Sequence, residues 1–452
     1  MVKMLGWRIA VLLCAVVLGG CAKTIRMENK KIGFIDSDMR YSIQNLTKKF
    51  SNSENVFIVN FSGGGTRAAA LSYGVLEGLN GYAFDANANK SLLDEISFIS
   101  SVSGGSFTAA YYGLHGKKMF NQFESEFLNV DFQGSLLSRL FSLGRILSDV
   151  DRTEAAIRLY DKNVFKGATF ADMVHDDRPI IIINASDLGG GIRFSFIQRY
   201  FDLLCSELAT FPVARAVAAS SAVPLVFSPV VLRNHDHCGA EYTNWIRHRK
   251  VREDEQHQLE INALLQSLSS LNDKQRRAYI HLVDGGITDN LGFRAIFDLL
   301  AIAGDAGVIQ GMRQTAIKRM IILSVDASVD ARKGLDQAPK EPSIANTLAA
   351  MSNIQLHRYN IATIELLEEQ IKTWAEQLST PEQQVEPFLI NISLNDVQDE
   401  ASKARLQSIP TSLSLSKDDV SLLIETGKNL LHSNAEMQRL LDHIGSKGTV
   451  GQ

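Results

Sequence analysis

The sequence predicts an α/β protein built on a mainly parallel sheet. Three observations lead there. Short apolar runs rich in Ile, Val and Phe recur at residues 56–61, 96–102, 179–185, 279–284, 320–326 and 388–394. Between them stand segments whose apolar residues repeat at helical spacing. Two of the runs also pass straight through glycine-rich turns into helices of small residues, which places functional groups at strand carboxyl ends. The 452 residues, 45% hydrophobic and 21% charged, suffice for one large domain or two. A net charge of −4 provides no basic excess for a nucleic-acid partner.

The first twenty residues are read as a targeting segment rather than fold. Lys3 and Arg8 precede an apolar run, 9–18, that is too short to span a bilayer and ends in Leu18-Gly19-Gly20-Cys21. That ending resembles a bacterial lipobox, which makes 1–20 a lipoprotein signal peptide and Cys21 the lipidated first residue. An uncleaved signal anchor is the alternative. Two or more acyl chains hold a protein firmly on a membrane surface. Ala22 after the cysteine implies outer-membrane sorting, so the expected location is the bacterial cell envelope, lipid-anchored and facing the periplasm. Residues 21–50 are polar, without sustained periodicity, and read as a tether. Cys205 and Cys238 fit a disulfide in an oxidising compartment, and two buried thiols fit equally.

The first core strand, 56–61, runs into Ser62-Gly63-Gly64-Gly65-Thr66-Arg67 and then a helix. Consecutive glycine N–H groups beside a helix N-terminus bind anions. Gly63, Gly65 and Ala68 satisfy G-x-G-x-x-A, but the dinucleotide reading needs an acidic residue ending the next strand. That strand ends instead in Ser101-Val102-Ser103-Gly104-Gly105, with Asp94 and Glu95 at its beginning. A serine at a sharp strand-to-helix turn between small residues has the layout of a nucleophile elbow, with Ser101 where the usual form has glycine. An oxyanion hole is therefore the better use of the Gly63–Gly65 loop.

Residues 115–175 are helical by pattern. Their Leu136, Leu137, Leu140, Phe141, Leu143, Ile146, Leu147 stripe, with Arg139 and Arg145 between, belongs to core or a tunnel wall before a membrane face. Gly189-Gly190-Gly191 reads as a hairpin turn between strands. A helix opens at Pro212 and a strand follows at 225–231. Residues 233–278 carry mixed charge, and His235, His237 and Cys238 lack a fourth ligand at a recognisable spacing, so no metal site is assigned. The strand 279–284 then delivers Asp284 to a Gly285-Gly286 turn. Long helices are expected at 344–378 and 417–441.

Gly63-Gly64-Gly65-Thr66-Arg67, Ser101-Val102-Ser103-Gly104-Gly105 and Asp284-Gly285-Gly286, in this chain order, resemble the patatin-like phospholipases. Residues 214–224 with Phe227-Ser228-Pro229, and residues 165–172, are similar to further blocks of that family. The resemblance implies a patatin-like three-layer fold with helices on both faces of the sheet. It implies a catalytic domain over 51–330, with 331–452 a mostly helical extension packed on the core. It also implies lipid acyl ester hydrolysis by a Ser103–Asp284 dyad, with Gly63, Gly64 and Gly65 as oxyanion hole and Arg67 bracing the loop. No metal or cofactor is required by that chemistry. The expected partners are a lipid or acyl-ester substrate and the membrane surface, and the sequence names no protein partner. An α/β-hydrolase triad needs a histidine after Asp284, for which only His357, His432 and His443 qualify. A non-catalytic lipid-binding lipoprotein is the remaining alternative.

Lipidation at Cys21 predicts that Cys21→Ser releases the protein from the membrane fraction or blocks its processing. Unchanged processing and retention, with an unlipidated wild type by mass spectrometry, would count against the anchor.

Overall fold

A computed structural model describes residues 27–33, 41, 53–85, 90–135, 152–224, 226–236, 238–248, 258–303, 316–329 and 343–445. The signal segment, Cys21 and the stripe from Leu136 to Leu147 lie outside the described residues. Eight strands form the central sheet: β1 (Asn55–Phe61), β2 (Ile96–Val102), β3 (Ile180–Asp187), β4 (Ile192–Ser195), β5 (Val230–Arg233), β6 (Tyr279–Asp284), β7 (Arg319–Asp326) and β8 (Glu386–Ser393). Their order is β8-β7-β1-β2-β3-β6-β5, with β4 also paired to β3. The five strands from β8 to β3 run parallel, and β4, β5 and β6 pair antiparallel. Every residue of β1 and β2 is buried, so helices cover the sheet on both faces, as all-parallel strands require. Among the described residues no helix is long and apolar enough to cross a membrane.

The helices that matter for the site are α1 (Gly65–Asn80), α2 (Gly104–His115), α3 (Val213–Ser220), α4 (Gln258–Ser270), α5 (Ile344–Leu378), α6 (Lys417–Ser433) and α7 (Ala435–Ile444). The strand expected at 225–231 is reduced to β5, because Pro224 and Pro229 lack the N–H a ladder needs and the Phe227 N–H donates to the Val223 carbonyl instead of to a strand. The single helix expected at 417–441 divides at Asn434. Its side chain accepts the Met437 N–H and caps a second helix. The described parts of 115–175 are helical in pieces, an α-helix at Arg152–Tyr160 and short 3-10 and π segments around an aromatic cluster. There Phe107 stacks on Phe127 at 4.3 Å and meets Tyr160 edge-on at 4.9 Å. Gly189–Gly191 do make the hairpin turn between β3 and β4.

The segment read as a tether is docked where it is described. Ile32 N–H donates to the Cys205 carbonyl, Glu207 N–H to the Lys30 carbonyl, and Glu28 pairs with the buried Arg215 at 3.0 Å. These bonds satisfy the Cys205 carbonyl and the Glu207 N–H, and Glu28 joins Glu154 as a second carboxylate on the buried guanidinium. Cys205 is disulfide-bonded to Cys238. That bond consumes the Cys238 sulfur, and the His235 ring shares a 2.9 Å hydrogen bond with the Asn29 carbonyl.

The C-terminal residues are part of the sheet. β8 pairs with β7 from Glu386 to Ser393, and α6 lies directly along α1, with the Ile424 carbonyl against Gly74. A chain ended at residue 330 loses β8 and α6, which bares one edge of the sheet and one face of α1. We expect such a fragment, 51–330, to be insoluble or to melt without cooperativity. A soluble fragment with a sharp thermal transition would show that the catalytic region folds alone.

Candidate active site

Ser103 follows β2 directly, with φ 50° and ψ −119°, a conformation non-glycine residues seldom adopt. Two hydrogen bonds hold it: its N–H donates to Ser220 Oγ at 2.8 Å, and its carbonyl accepts the Ser106 N–H at 3.0 Å. The turn folds this way because α2 begins on two glycines. A Cβ at Gly104 would lie 1.9 Å from the Gly65 carbonyl oxygen, so only glycine lets the two turns touch. Ser101 is tolerated in the usual glycine position because its hydroxyl donates to the Ile182 carbonyl on β3 at 3.3 Å.

The glycine loop sits against this elbow. Gly64 and Gly65 have φ of 142° and 61°. Gly63 N–H donates to the Asn290 carbonyl at 3.0 Å, and Thr66 N–H to the Ser412 carbonyl at 2.8 Å. No contact among the described residues uses the N–H groups of Gly64, Gly65 or Gly104. Arg67 is buried and fixed by three neutral acceptors, the carbonyls of Ala327 and Ile409 and the hydroxyl of Thr411, at 3.0, 2.6 and 3.1 Å. Burial pushes its pKa down to about 10, with Asp326 opposing the shift.

Asp284 reaches the elbow by register. Val102 is opposite Asn184 on β3, and Asp284 is opposite Ala185, so two strands of opposite direction end beside one another. Burial pushes the Asp284 carboxyl up to about 6, from an ordinary value of about 3.9. The Gly286 N–H, 2.8 Å from Oδ1, and the polar Ser103 side chain pull in the opposite direction. The candidate nucleophile, base and N–H donors are thus brought together from β2, β6 and the β1–α1 turn.

Two of the three candidate histidines are engaged elsewhere. His432 shares a 3.0 Å hydrogen bond with the Tyr82 hydroxyl, beyond the far end of α1, and the His443 ring meets Phe388 on the edge strand. His357 is half-buried on α5, whose neighbouring Leu356 lies above Gly286. Among the described residues no three His, Cys, Asp or Glu side chains are grouped for a metal ion. A cavity of about 730 Å³ opens beside Gly286. Apolar Leu264, Ile287 and Leu356 line it together with polar Arg193, Glu260 and Tyr359.

Residues 60–297, more than half of the chain, match the family described as patatin-like phospholipase. The chain belongs to the patatin-like phospholipase family. It is accordingly an ester-hydrolysing lipase. Among solved structures, human GIVD cytosolic phospholipase A2 overlays with a TM-score of 0.42 at 13% identity, covering 94% of this chain and 69% of that one. The same human protein in complex with methyl gamma-linolenyl fluorophosphonate gives 0.42 at 13%, covering 90% and 63%. The type III effector protein ExoU gives 0.23 at 14%, covering 87% and 76%. No curated protein sequence matches significantly. The family match alone carries the assignment.

Three contributors to this patatin-like site escape a reading of motifs. Ser220, Asn290 and Ser412 bind the elbow and the glycine loop through contacts that cross more than a hundred residues. Ser220 lies in a block that resembles the family, but nothing local marks its hydroxyl as a bridge. Gly104→Ala forces the Gly65 backbone away from the elbow. We expect a loss of about 1–3 kcal/mol in stability by denaturant titration, together with lost hydrolysis. Unaltered stability would mean that the turns do not touch.

Proposed function

We propose that this chain hydrolyses carboxylic esters of lipids by a Ser103–Asp284 dyad without histidine. The observation that carries the proposal is the buried Asp284 carboxyl, brought by strand register beside the strained Ser103 elbow. Asp284 takes the Ser103 hydroxyl proton as Oγ attacks the ester carbonyl, and the oxygen gains a negative charge. The free N–H groups of Gly64 and Gly65, joined by Gly104, receive that charge beside two helix N-termini. Gly63 contributes the close approach of the loop rather than a donor, since its N–H is bonded to Asn290. Arg67 braces the loop through Ala327, Ile409 and Thr411. Collapse expels the alcohol with the proton from Asp284, and water, deprotonated in turn by Asp284, frees the acid from Ser103.

The cavity beside Gly286 supports an amphipathic substrate, because apolar and polar side chains both line it and its volume lies within the size range of ligand pockets. We further propose that the chain is a lipid-anchored protein of the bacterial envelope. Leu18-Gly19-Gly20-Cys21 supports that reading, as does the Cys205–Cys238 disulfide, which suits an oxidising compartment.

Ser103→Ala and Asp284→Asn should each lower kcat by roughly a thousandfold or more, and the double variant should be little worse than either. His357→Ala should retain the chemical step, and a crippled His357→Ala would replace the dyad with a triad.

The base must be ionised to accept a proton. Below pH about 6, kcat/KM should therefore fall tenfold per unit, and above it the rate should level off. A profile flat from pH 4.5 to 7 would remove Asp284 from the role.

A further inference from the structure

We infer that Ser220 is a positioning residue that ties the nucleophile's backbone to the base's backbone, an inference that rests on the Ser103–Asp284 reading. Ser220 ends α3 and is fully buried. Its hydroxyl has three neighbours: Ser103 N at 2.8 Å, Ser106 Oγ at 3.0 Å and the Asn184 carbonyl oxygen at 2.6 Å. The carbonyl can only accept, so the single Ser220 proton goes to Asn184. The Ser106 hydroxyl must then donate to Ser220 Oγ, and both Ser220 lone pairs are filled, one by Ser106 and one by the Ser103 N–H. The hydroxyl is saturated and its orientation is determined.

The backbone of the same residue completes the link. The Ser220 carbonyl accepts the Gly285 N–H at 3.0 Å, and two residues later the Ala222 carbonyl accepts the Asp284 N–H at 3.0 Å. One end of α3 therefore holds Ser103 by a side chain and Asp284-Gly285 by main chain. Its anchor, Asn184, is itself fixed. Asn184 Nδ2 donates to Ser100 Oγ at 2.9 Å and the Ser101 carbonyl at 3.1 Å, and Oδ1 accepts the Ser195 hydroxyl at 2.7 Å. A strained φ persists only where its surroundings over-determine it, and Ser220 supplies that restraint at Ser103. The same bond occupies the Ser103 N–H, so that group is withheld from the oxyanion and Gly104 is the elbow's donor.

Removing the hydroxyl loosens the spacing between nucleophile and base while leaving every group that contacts substrate in place. The test is Ser220→Ala, measured on a soluble p-nitrophenyl ester and by the rate at which a fluorophosphonate labels Ser103. Circular dichroism and thermal melting establish the fold. We expect kcat and the labelling rate to fall together by about ten- to a hundredfold, as small misplacements do, with KM changed by less than about threefold. Should Ser220→Ala not fold, Ser220→Cys keeps the volume with a weaker hydrogen bond. Its kcat and labelling rate should again fall in step. Wild-type rates in either folded variant, or a change confined to KM, overturn the inference. If wild type is labelled at Ser103 and Ser220→Ala equally fast, only this inference fails. If wild type is not labelled at Ser103, the dyad reading fails with it.

Discussion

Gly65 and Gly104 meet backbone to backbone, closer than any side chain permits, and the site's geometry descends from that contact. It brings the amino ends of α1 and α2 to one point, each with N–H groups left over from its first turn. Two positive helix ends side by side are a place for negative charge, and Ser103 stands at the junction of the second. The parallel pairing of β1 and β2 aims both turns at the same edge of the sheet. A single added methyl at Gly104 would push the Gly65 turn away from Ser103.

The contact is held from outside the region that matches the family. Ser412 takes the Thr66 N–H, and Ile409 and Thr411 take two of the Arg67 hydrogen bonds. That stretch is positioned by β8 before it, which extends the sheet, and by α6 after it, which lies along α1. The glycine loop is thus clamped between the start of the fold and its end. On the opposite side the end of α3 performs the same service for Ser103 and Asp284.

Burial sets the electrostatics of both ends of the site. Asp284 is held above the ordinary carboxylate range by desolvation, only partly offset by the Gly286 N–H and Ser103. A carboxyl with a pKa near 6 is a stronger base than an exposed one, yet still ionised at neutral pH. Arg67 shows the converse. It is desolvated and bonded to neutral oxygens, with its pKa lowered, so its contribution is rigidity rather than charge directed at a ligand.

The primary sequence by itself determined the elements and the three motifs, since each depends on local chemistry. A strand run entering a glycine turn and a small-residue helix needs only neighbours in the chain, and the β1–α1 and β2–α2 turns and the end of β6 are legible for that reason. The hairpin at Gly189–Gly191 was legible on the same grounds. Where short-range signals conflict the pattern misleads: prolines cut the 225–231 strand, and Asn434 caps a second helix inside an unbroken apolar pattern. The tertiary structure alone decided which N–H groups remain free among the described residues, that an antiparallel strand delivers Asp284, that Cys205 meets Cys238, and that Ser220 and Ser412 grip the elbow and the glycine loop. Each of these depends on a partner far along the chain or on the register of a strand, and neither pattern nor propensity encodes which distant carbonyl a buried N–H will find.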